Sequence, residues 1–256
     1  LTMEINFVQK KPFYIFSIEN FLDDSEYQVI ENNFPDDKID KIKTDSGHKK
    51  HFDSRDEVFK SLKNKNLAIK ILEKKFDEKF CADLIKKLRK ELVISRLNSL
   101  SDLTNLKNLF SIIRKPKIVS KEIKKNFIQR FLYSHFQRLI TFSYMYKGSF
   151  LHPHTDQKSK LISLMLYFPS KNLENKKIGT TFYNSKLKNF NNKITGLFDE
   201  ENKITFKENL EETMTFPFKK KNLYCFIKSE LSWHSVKKLD IPVDEVRKSV
   251  LINIKI

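Results

Sequence analysis

Five short apolar runs in the C-terminal half constrain the fold of this chain more than any other feature of its sequence. They cover residues 142–146, 161–168, 178–183, 223–227 and 250–254, and polar segments separate them. Runs of this length, rich in β-branched and aromatic residues, predict β-strands, and several such strands joined by polar turns are typical of an antiparallel sandwich or barrel. We therefore expect a β-rich core over about residues 140–256.

The N-terminal half shows helical periodicity instead. Apolar residues recur at helical spacing over residues 57–92, and a second helical face is predicted over 120–139. Near the start of the chain, residues 13–18 predict a strand, and Asp23 is a candidate N-cap for the short helix that follows over 27–32. We therefore expect one strand and several helices to support the β-rich core.

Two polar segments interrupt this pattern. Residues 35–56 are charged and contain Gly47, which predicts a long loop, and residues 184–214 predict an insertion between strands of the core. With 256 residues and 39% hydrophobic content, the chain is long enough to bury one compact core. We expect an α+β fold in a single domain, 1–256, in which residues 1–139 support the core at 140–256.

The chain carries a formal charge of +17, which raises the question of a nucleic-acid partner. A basic face is the electrostatic feature that nucleic acids and anionic membranes require. Only seven of the 49 basic residues are arginine, however, and arginine is the residue that makes bidentate contacts with phosphates and bases. We therefore interpret the charge as a solvated, lysine-rich surface and do not expect a nucleic-acid partner.

Cysteine content and hydropathy bear on the compartment. Cys81 and Cys225 lie far apart and form neither a Cys-x-x-Cys pair nor a disulfide-rich framework, which is usual in a reducing environment. The best apolar run, residues 161–168, is far shorter than the roughly 20 residues needed to cross a bilayer. We expect a cytoplasmic protein without membrane insertion.

A His-x-Asp pair lies beside one of the predicted strands. Two residues separated by one point to the same side of an extended chain, so the side chains of His154 and Asp156 can reach one metal ion. His234 follows the predicted strand 223–227 and is placed to supply a second imidazole. Two histidines and one carboxylate form the facial triad that leaves three coordination positions open on Fe(II). The spacing therefore predicts an iron site.

A second motif, Arg-x-Ser, opens the last predicted strand. Strand alternation places Arg247 and Ser249 on one face. A guanidinium with an adjacent hydroxyl can hold a carboxylate through charge-assisted hydrogen bonds. The pair suits the distal carboxylate of a dicarboxylic keto acid.

Together these motifs resemble those of Fe(II)- and 2-oxoglutarate-dependent oxygenases, in the branch that includes prolyl 4-hydroxylases. The resemblance covers about residues 140–256 and rests on the His-Pro-His-Thr-Asp segment with its preceding Tyr-Lys-Gly-Ser-Phe-Leu, on Gly-Thr-Thr-Phe-Tyr, on Trp-His-Ser-Val and on Arg-x-Ser. It implies a double-stranded β-helix, or jelly-roll, core in the C-terminal half.

The resemblance also implies a role for each motif residue. His154, Asp156 and His234 would bind iron and form the catalytic centre, and Arg247 with Ser249 would bind the distal carboxylate of 2-oxoglutarate. Fe(II) is the implied metal, 2-oxoglutarate and O2 are the implied cosubstrates, and ascorbate is an expected stimulant.

Tyrosines are a further element of the resemblance. A tyrosine on the strand before His-x-Asp and another late on the following strand contact the cosubstrate in such enzymes. The matching positions here are Tyr144 or Tyr146, and Tyr167. Tyr144 and Tyr146 share a strand face, so the sequence leaves the choice between them open.

Three departures from related families narrow the range of activities that we expect. Collagen-type prolyl 4-hydroxylases carry lysine where this chain has Arg247, base-repair demethylases carry a second arginine where it has Asn253, and halogenases lack the carboxylate that Asp156 supplies. We expect hydroxylation of a small metabolite such as an amino acid, a sugar or a nucleotide-sugar, with release of succinate and CO2. Net charge favours an anionic substrate, and a peptidyl residue stays a second possibility.

Two alternatives accompany this interpretation. One is a non-catalytic jelly-roll protein whose basic surface binds an anionic polymer such as nucleic acid. The other is a second metal site, because His51 and Asp53 form another His-x-Asp pair and His135 lies at a similar distance along the chain. His51 falls in the predicted loop and His135 in the predicted helix, so the first pair is favoured.

Overall fold

The computed structural model describes residues 3–39, 42–44, 47–97, 112, 115–118, 133–185 and 209–256. Within these residues the strands, in chain order, are β1 (Asn6–Gln9), β2 (Ile15–Ile18), β3 (Lys43–Thr44), β4 (Lys50–Asp53), β5 (Lys115–Ile118), β6 (Tyr133–Met145), β7 (Leu151–His154), β8 (Lys160–Phe168), β9 (Thr181–Ser185), β10 (Leu210–Thr215), β11 (Leu223–Ile227), β12 (Trp233–Val236) and β13 (Arg247–Lys255). The helices are α1 (Asp24–Asn32), α2 (Glu57–Leu62), α3 (Leu67–Lys75), α4 (Glu78–Lys87) and α5 (Arg89–Leu97).

The strands form two sheets with the connectivity of a jelly-roll. The larger sheet has the order β1-β2-β11-β8-β13-β6-β4-β3, with β5 parallel to β6, and the smaller sheet has the order β10-β9-β12-β7. From β6 onward the chain alternates between the sheets, with one hairpin, β9-β10, within the smaller sheet. This antiparallel winding is the predicted double-stranded β-helix, so the α+β prediction is confirmed.

Helices cover the outer face of the larger sheet. The predicted N-cap is confirmed, because the Asp23 carboxylate accepts a hydrogen bond from the Glu26 amide at 2.7 Å and the Glu26 carboxylate accepts one from the Asp23 amide at 3.1 Å. The predicted helical region 57–92 forms α2 to α5. Apolar faces of these helices and of α1 pack against the sheet, including Ile30, Leu72 and Leu84, each with no exposed surface.

A second apolar layer lies between the two sheets. Met165 and Tyr167 of β8 and Phe226 of β11 meet Phe182 of β9 and Val236 of β12 in one buried cluster. The larger sheet is therefore buried on both faces, and the interior between the sheets is the place where side chains from β6, β8, β12 and β13 can meet.

Two predicted elements differ from the structure. The segment 35–56 is not a continuous loop, because β3 and β4 extend the larger sheet and Phe52 is fully buried against it. The predicted helix over 120–139 is wrong at its C-terminal end, since β6 begins at Tyr133 and pairs with β13 as far as Gln137. Ladder pairing with a long neighbouring strand overrode the local helical spacing.

Apart from the start of β6, the bounds of the other predicted strands agree within three residues, and some predicted segments lie outside the described part. The core begins at Tyr133 of β6 rather than at residue 140. Most of the predicted insertion at 184–214, and residues 120–132 of the predicted helix, fall in the segments that the structure leaves undescribed. No helix among the described residues is long and apolar enough to cross a bilayer.

Aromatic packing on the outer face gives the first prediction. Phe142 of β6 is fully buried, stacks on Phe52 at 5.3 Å and meets the edge of the Phe34 ring at 5.1 Å. Phe142→Ala should lower the free energy of unfolding by about 3–5 kcal/mol, because apolar burial is lost and a cavity remains. Urea unfolding followed by circular dichroism measures this. Val243→Ala, at a side chain that is 79% exposed, is the control and should change the free energy by less than about 0.5 kcal/mol. Equal stabilities of the Phe142→Ala variant and the native chain would contradict this packing.

Candidate metal site and carboxylate pocket

Strand register brings the three predicted metal ligands together. His154 ends β7 and lies directly opposite His234 of β12 in the smaller sheet, and Asp156 follows two residues after β7. One ligand atom from each residue lies within 4.8 Å of the other two. His154 Nε2 is 4.0 Å from Asp156 Oδ1, and His234 Nε2 is 3.8 Å from Asp156 Oδ2. Within the part of the chain that the structure describes, this is the one group of three such side chains close enough to share a metal ion.

Backbone carbonyls fix the tautomer of both imidazoles. Nδ1 of His154 lies 2.8 Å from the carbonyl of His152, and Nδ1 of His234 lies 2.9 Å from the carbonyl of Ser232. A carbonyl oxygen only accepts, so each Nδ1 carries the proton and each Nε2 presents its lone pair toward Asp156. This hydrogen bond to the far nitrogen is the arrangement that orients metal-binding histidines.

The electrostatics keep the triad in the protonation state that binds metal. Burial, reinforced by the neighbouring His154, lowers the pKa of His234 to about 3, and burial also lowers the pKa of His154. Burial alone would raise the pKa of Asp156, but Lys160 and the two imidazoles hold it below its ordinary value. At neutral pH the site therefore contains two neutral imidazoles and one carboxylate.

Sequence reasoning missed two side chains that contact Asp156. Lys160 Nζ lies 2.5 Å from Asp156 Oδ1, and Ser163 Oγ lies 3.1 Å from Asp156 Oδ2 and 3.0 Å from Asn253 Oδ1. The available signal was Ser163 itself, a polar residue within the apolar run of β8, and Asn253 at the register position opposite it in β13. Both carboxylate oxygens of Asp156 are thus engaged in the structure.

Arg247 lies in the interior between the sheets, at the start of β13. Its side chain is buried, Nε donates to the carbonyl of Ile178 at 2.7 Å, and Nη1 lies 3.4 Å from Ser249 Oγ. The guanidinium carbon is 5.3 Å from the ring centres of both Tyr167 and Phe218. Burial lowers the pKa of Arg247, and no carboxylate among the described residues forms an ion pair with it. A buried guanidinium without an acidic partner favours an anionic ligand.

One predicted tyrosine reaches this pocket. The Tyr167 hydroxyl accepts a hydrogen bond from the Thr180 amide at 3.0 Å and lies 3.1 Å from Thr180 Oγ1. Tyr167, Thr180, Arg247 and Ser249 line the same cavity as the three candidate metal ligands.

Tyr144 and Tyr146 do not reach the pocket. The Tyr144 hydroxyl donates to the carbonyl of Pro35 at 2.7 Å, and both side chains belong to the apolar cluster between the larger sheet and the helices. Ser143 and Met145, the residues of opposite parity on β6, line the cavity instead. The prediction that Tyr144 or Tyr146 contacts the cosubstrate is therefore corrected. Strand alternation turns both side chains toward the outer face of the larger sheet.

The alternative His-x-Asp pair has another role. The Asp53 carboxylate binds Arg55, with Oδ2 2.7 Å from Nη2 and Oδ1 3.0 Å from Nε. His51 and Asp53 lie on β4 at the far side of β6 from β13. The side chain of His135 lies outside the described residues.

Comparison with known proteins gives structural likeness alone. No protein-family model matches the sequence, and no curated protein matches it. Among solved structures, a prolyl-4-hydroxylase from Pseudomonas putida shares 11% identity at a TM-score of 0.44, covering 95% of this chain and 93% of that one. HygX from Streptomyces hygroscopicus, with nickel and 2-oxoglutarate bound, shares 9% identity at a TM-score of 0.41, covering 94% and 82%. A prolyl hydroxylase from Trichoplax adhaerens, in complex with a hypoxia-inducible-factor peptide, shares 12% identity at a TM-score of 0.42, covering 93% and 82%. All three TM-scores lie below 0.5, so the functional assignment rests on the geometry of the site.

The lowered pKa of His234 predicts that the metal-free protein loses stability in mild acid. An unfolded histidine takes up a proton near its ordinary pKa of 6.5, whereas folded His234 stays neutral down to about pH 3. Between these values the unfolded chain binds more protons, so the free energy of unfolding should fall as pH falls, with a limiting slope of about 1.4 kcal/mol per pH unit for each proton. Urea unfolding at several pH values between 7 and 4.5 measures this slope.

Two variants isolate the contribution of His234. His234→Gln should give a shallower dependence of stability on pH, whereas His48→Asn, at an exposed imidazole, should leave the dependence unchanged. Asparagine suits position 48 because the backbone there has a φ of 57°. Identical slopes for the native chain and His234→Gln would contradict the neutral, buried state of this imidazole.

Proposed function

We propose that this chain is an Fe(II)- and 2-oxoglutarate-dependent dioxygenase that hydroxylates a small-molecule substrate and releases succinate and CO2. The observation that carries the proposal is a single cavity lined both by a His-Asp-His group and by a buried arginine without an acidic partner among the described residues. The first group suits a divalent metal ion, and the arginine suits a carboxylate. A dicarboxylic keto acid is the kind of molecule that would bind both.

The donor set of the triad fits Fe(II). Two imidazole nitrogens and one carboxylate oxygen converge from one side, and the lone pairs of both Nε2 atoms face the carboxylate. Two histidines and one carboxylate with open positions are diagnostic of non-haem Fe(II) oxygenases. We therefore assign His154, Asp156 and His234 as the residues that would hold the metal and form the catalytic centre.

The environment of Arg247 fits the distal carboxylate of 2-oxoglutarate. Ser249 Oγ lies beside the guanidinium, and Tyr167 and Thr180 place their hydroxyl groups in the same cavity. A charge-assisted contact to a carboxylate would satisfy the buried cation, and the Tyr167 ring would keep the guanidinium flat beneath it. We assign Arg247, Ser249 and Tyr167 to cosubstrate binding.

The remaining walls of the cavity would exclude water. They include the apolar side chains of Met145, Met165, Phe226 and Leu251. When bound, iron with 2-oxoglutarate and O2 supplies the oxidising power for hydroxylation of a C–H bond. The protein holds the two ends of the cosubstrate, keeps both imidazoles neutral and retains a carboxylate at position 156, which is the reason for proposing hydroxylation rather than halogenation.

We further propose that residues 1–256 form a single domain, that the protein is cytoplasmic and that ascorbate stimulates its activity. Among substrates, an amino acid, a sugar or a nucleotide-sugar is favoured over a peptidyl residue. Cys81 and Cys225 are both buried and free, which agrees with a reducing compartment.

An anaerobic titration tests the proposed activity. Adding Fe(II) and 2-oxoglutarate to the metal-free protein should produce the visible metal-to-ligand charge-transfer band of the chelated cosubstrate. His234→Ala should abolish the band, because it removes one of three ligands, and should remain folded by circular dichroism. A folded native protein without a band would exclude the oxygenase and favour a non-catalytic jelly-roll that binds an anionic polymer through its lysine-rich surface. Salt-steep binding to DNA or RNA would then be the positive sign.

The role of Arg247 in binding 2-oxoglutarate is tested separately from the metal site. Arg247→Met should weaken 2-oxoglutarate binding by roughly 10- to 100-fold, the equivalent of one charge-assisted hydrogen-bonded contact, while metal affinity changes little. Titrating the same charge-transfer band with 2-oxoglutarate at saturating Fe(II) gives the cosubstrate affinity, and titrating it with Fe(II) at saturating 2-oxoglutarate gives the metal affinity. Lys171→Met, at an exposed residue after β8, is the matched loss of positive charge and should have no effect. Equal affinities of Arg247→Met and the native chain would place the distal carboxylate elsewhere.

A further inference from the structure

The proposed reaction gives no role to Lys160, a charged side chain that contacts one of the candidate metal ligands. It opens β8, its side chain is 17% exposed, and its Nζ lies 2.5 Å from Asp156 Oδ1. It also lines the cavity that contains the triad and Arg247. A lysine that contacts a metal-ligand carboxylate from inside the cavity lies within reach of any substrate beside the metal.

Hydrogen bonds fix the backbone of Lys160, so only its side chain can change partners. Its amide donates to the carbonyl of Gln157 at 3.0 Å, and its carbonyl accepts a hydrogen bond from the buried Arg96 guanidinium. In the sheet it pairs with Lys255 of β13. The ammonium group can therefore exchange one partner for another by rotation about side-chain bonds, without movement of the strand.

Other cations lie near Lys160 at this end of the larger sheet. Lys228 is buried at the end of β11, and its amide donates to the carbonyl of Leu161. Burial lowers the pKa of Lys228 to about 8, and burial with the nearby Lys160 lowers the pKa of Lys255. Positive charge is thus concentrated at this end of the larger sheet.

A count of charges shows what happens to Lys160 when the site is filled as proposed. Fe(II) would be balanced by the Asp156 carboxylate and by the metal-bound carboxylate of 2-oxoglutarate, and Arg247 would be balanced by the distal carboxylate. Lys160 would then share its one counter-ion with a divalent cation and would be left with an unbalanced charge on a side chain that is only 17% exposed. An unbalanced buried cation is costly, and a second anion relieves the cost.

Resting on the proposed function, we infer that Lys160 binds an anionic group of the substrate and so selects small substrates that carry a carboxylate or a phosphate. Lys160 contacts Asp156 in the structure, and with a metal ion on that carboxylate its ammonium group would bind the anionic group of the substrate. Because Asp156 contacts Lys160 directly, the oxidised carbon lies only a few bonds from the anionic group. Neutral sugars and unmodified peptidyl proline are then poor substrates.

Anion binding can be tested without knowledge of the substrate. Co(II) replaces iron, 2-oxoglutarate is added, and the nuclear relaxation of two probes is measured: phosphorus in inorganic phosphate and the labelled carboxyl carbon of acetate. A probe held by Lys160 lies close to the paramagnetic ion and relaxes faster than in the Zn(II) complex. Enhancement of one probe over the other identifies which group the site accepts.

Variants at position 160 show whether Lys160 binds the probe anion. The native chain and Lys160→Arg should enhance the relaxation of at least one probe, Lys160→Met should weaken its binding by roughly tenfold or more, and Lys171→Met should match the native chain. Enhancement that persists undiminished in Lys160→Met would mean that the metal or another cation holds the anion, and it would overturn the inference. Absence of enhancement in the native complex would also overturn it.

Failure of the inference can be told apart from failure of the proposed function. The Fe(II) charge-transfer band with 2-oxoglutarate is recorded for every variant before the relaxation measurement. A band in Lys160→Met shows that this variant is folded and binds metal and cosubstrate. A missing band in the native chain counts against the oxygenase, whereas a normal band without anion binding counts against Lys160 alone.

Discussion

The site depends on one register, the pairing of β7 with β12 in the smaller sheet. This pairing sets His154 opposite His234, with ring centres 4.3 Å apart, and the turn after β7 brings Asp156 against both. A shift of one residue in an antiparallel pair would turn one imidazole to the other face of the sheet. On the larger sheet, the register of β13 with β8 places Ser249 opposite Tyr167, two residues from Arg247. The metal site and the carboxylate pocket are therefore both consequences of how neighbouring strands align.

The structure combines this alignment with a high density of buried charge. Arg247, Asp156, Lys228 and Arg96 each expose less than a tenth of their surface, and such groups destabilise a fold unless they are paired or hydrogen-bonded. Carbonyl groups of Ile178, Ser229 and Lys160 accept hydrogen bonds from the three cations. The two apolar layers of the larger sheet supply the stabilisation that lets the structure keep these charges in place.

Much of the fold and of the metal site could be predicted from sequence, because patterns of a few neighbouring residues determine them. Asp23 caps α1 through its spacing to Glu26, and the ligand set follows from His-x-Asp at the end of one strand and Trp-His in another. The face of Tyr144 could not be predicted, since β6 is buried on both sides and apolar alternation gives no direction there. The contact between Lys160 and Asp156 depends on the turn between β7 and β8, and the strand at Tyr133–Leu139 depends on pairing with β5 and β13. Long-range pairing of this kind leaves no signal in a window of adjacent residues.

A crystal structure of the protein grown anaerobically with Mn(II) and 2-oxoglutarate would show whether one cavity holds both the metal ion and the cosubstrate. We expect an anomalous peak bonded to His154 Nε2, His234 Nε2 and an Asp156 oxygen, with the keto acid running from this ion to the guanidinium of Arg247. An ion bound elsewhere, or an ordered cosubstrate whose distal carboxylate does not meet Arg247, would contradict this arrangement.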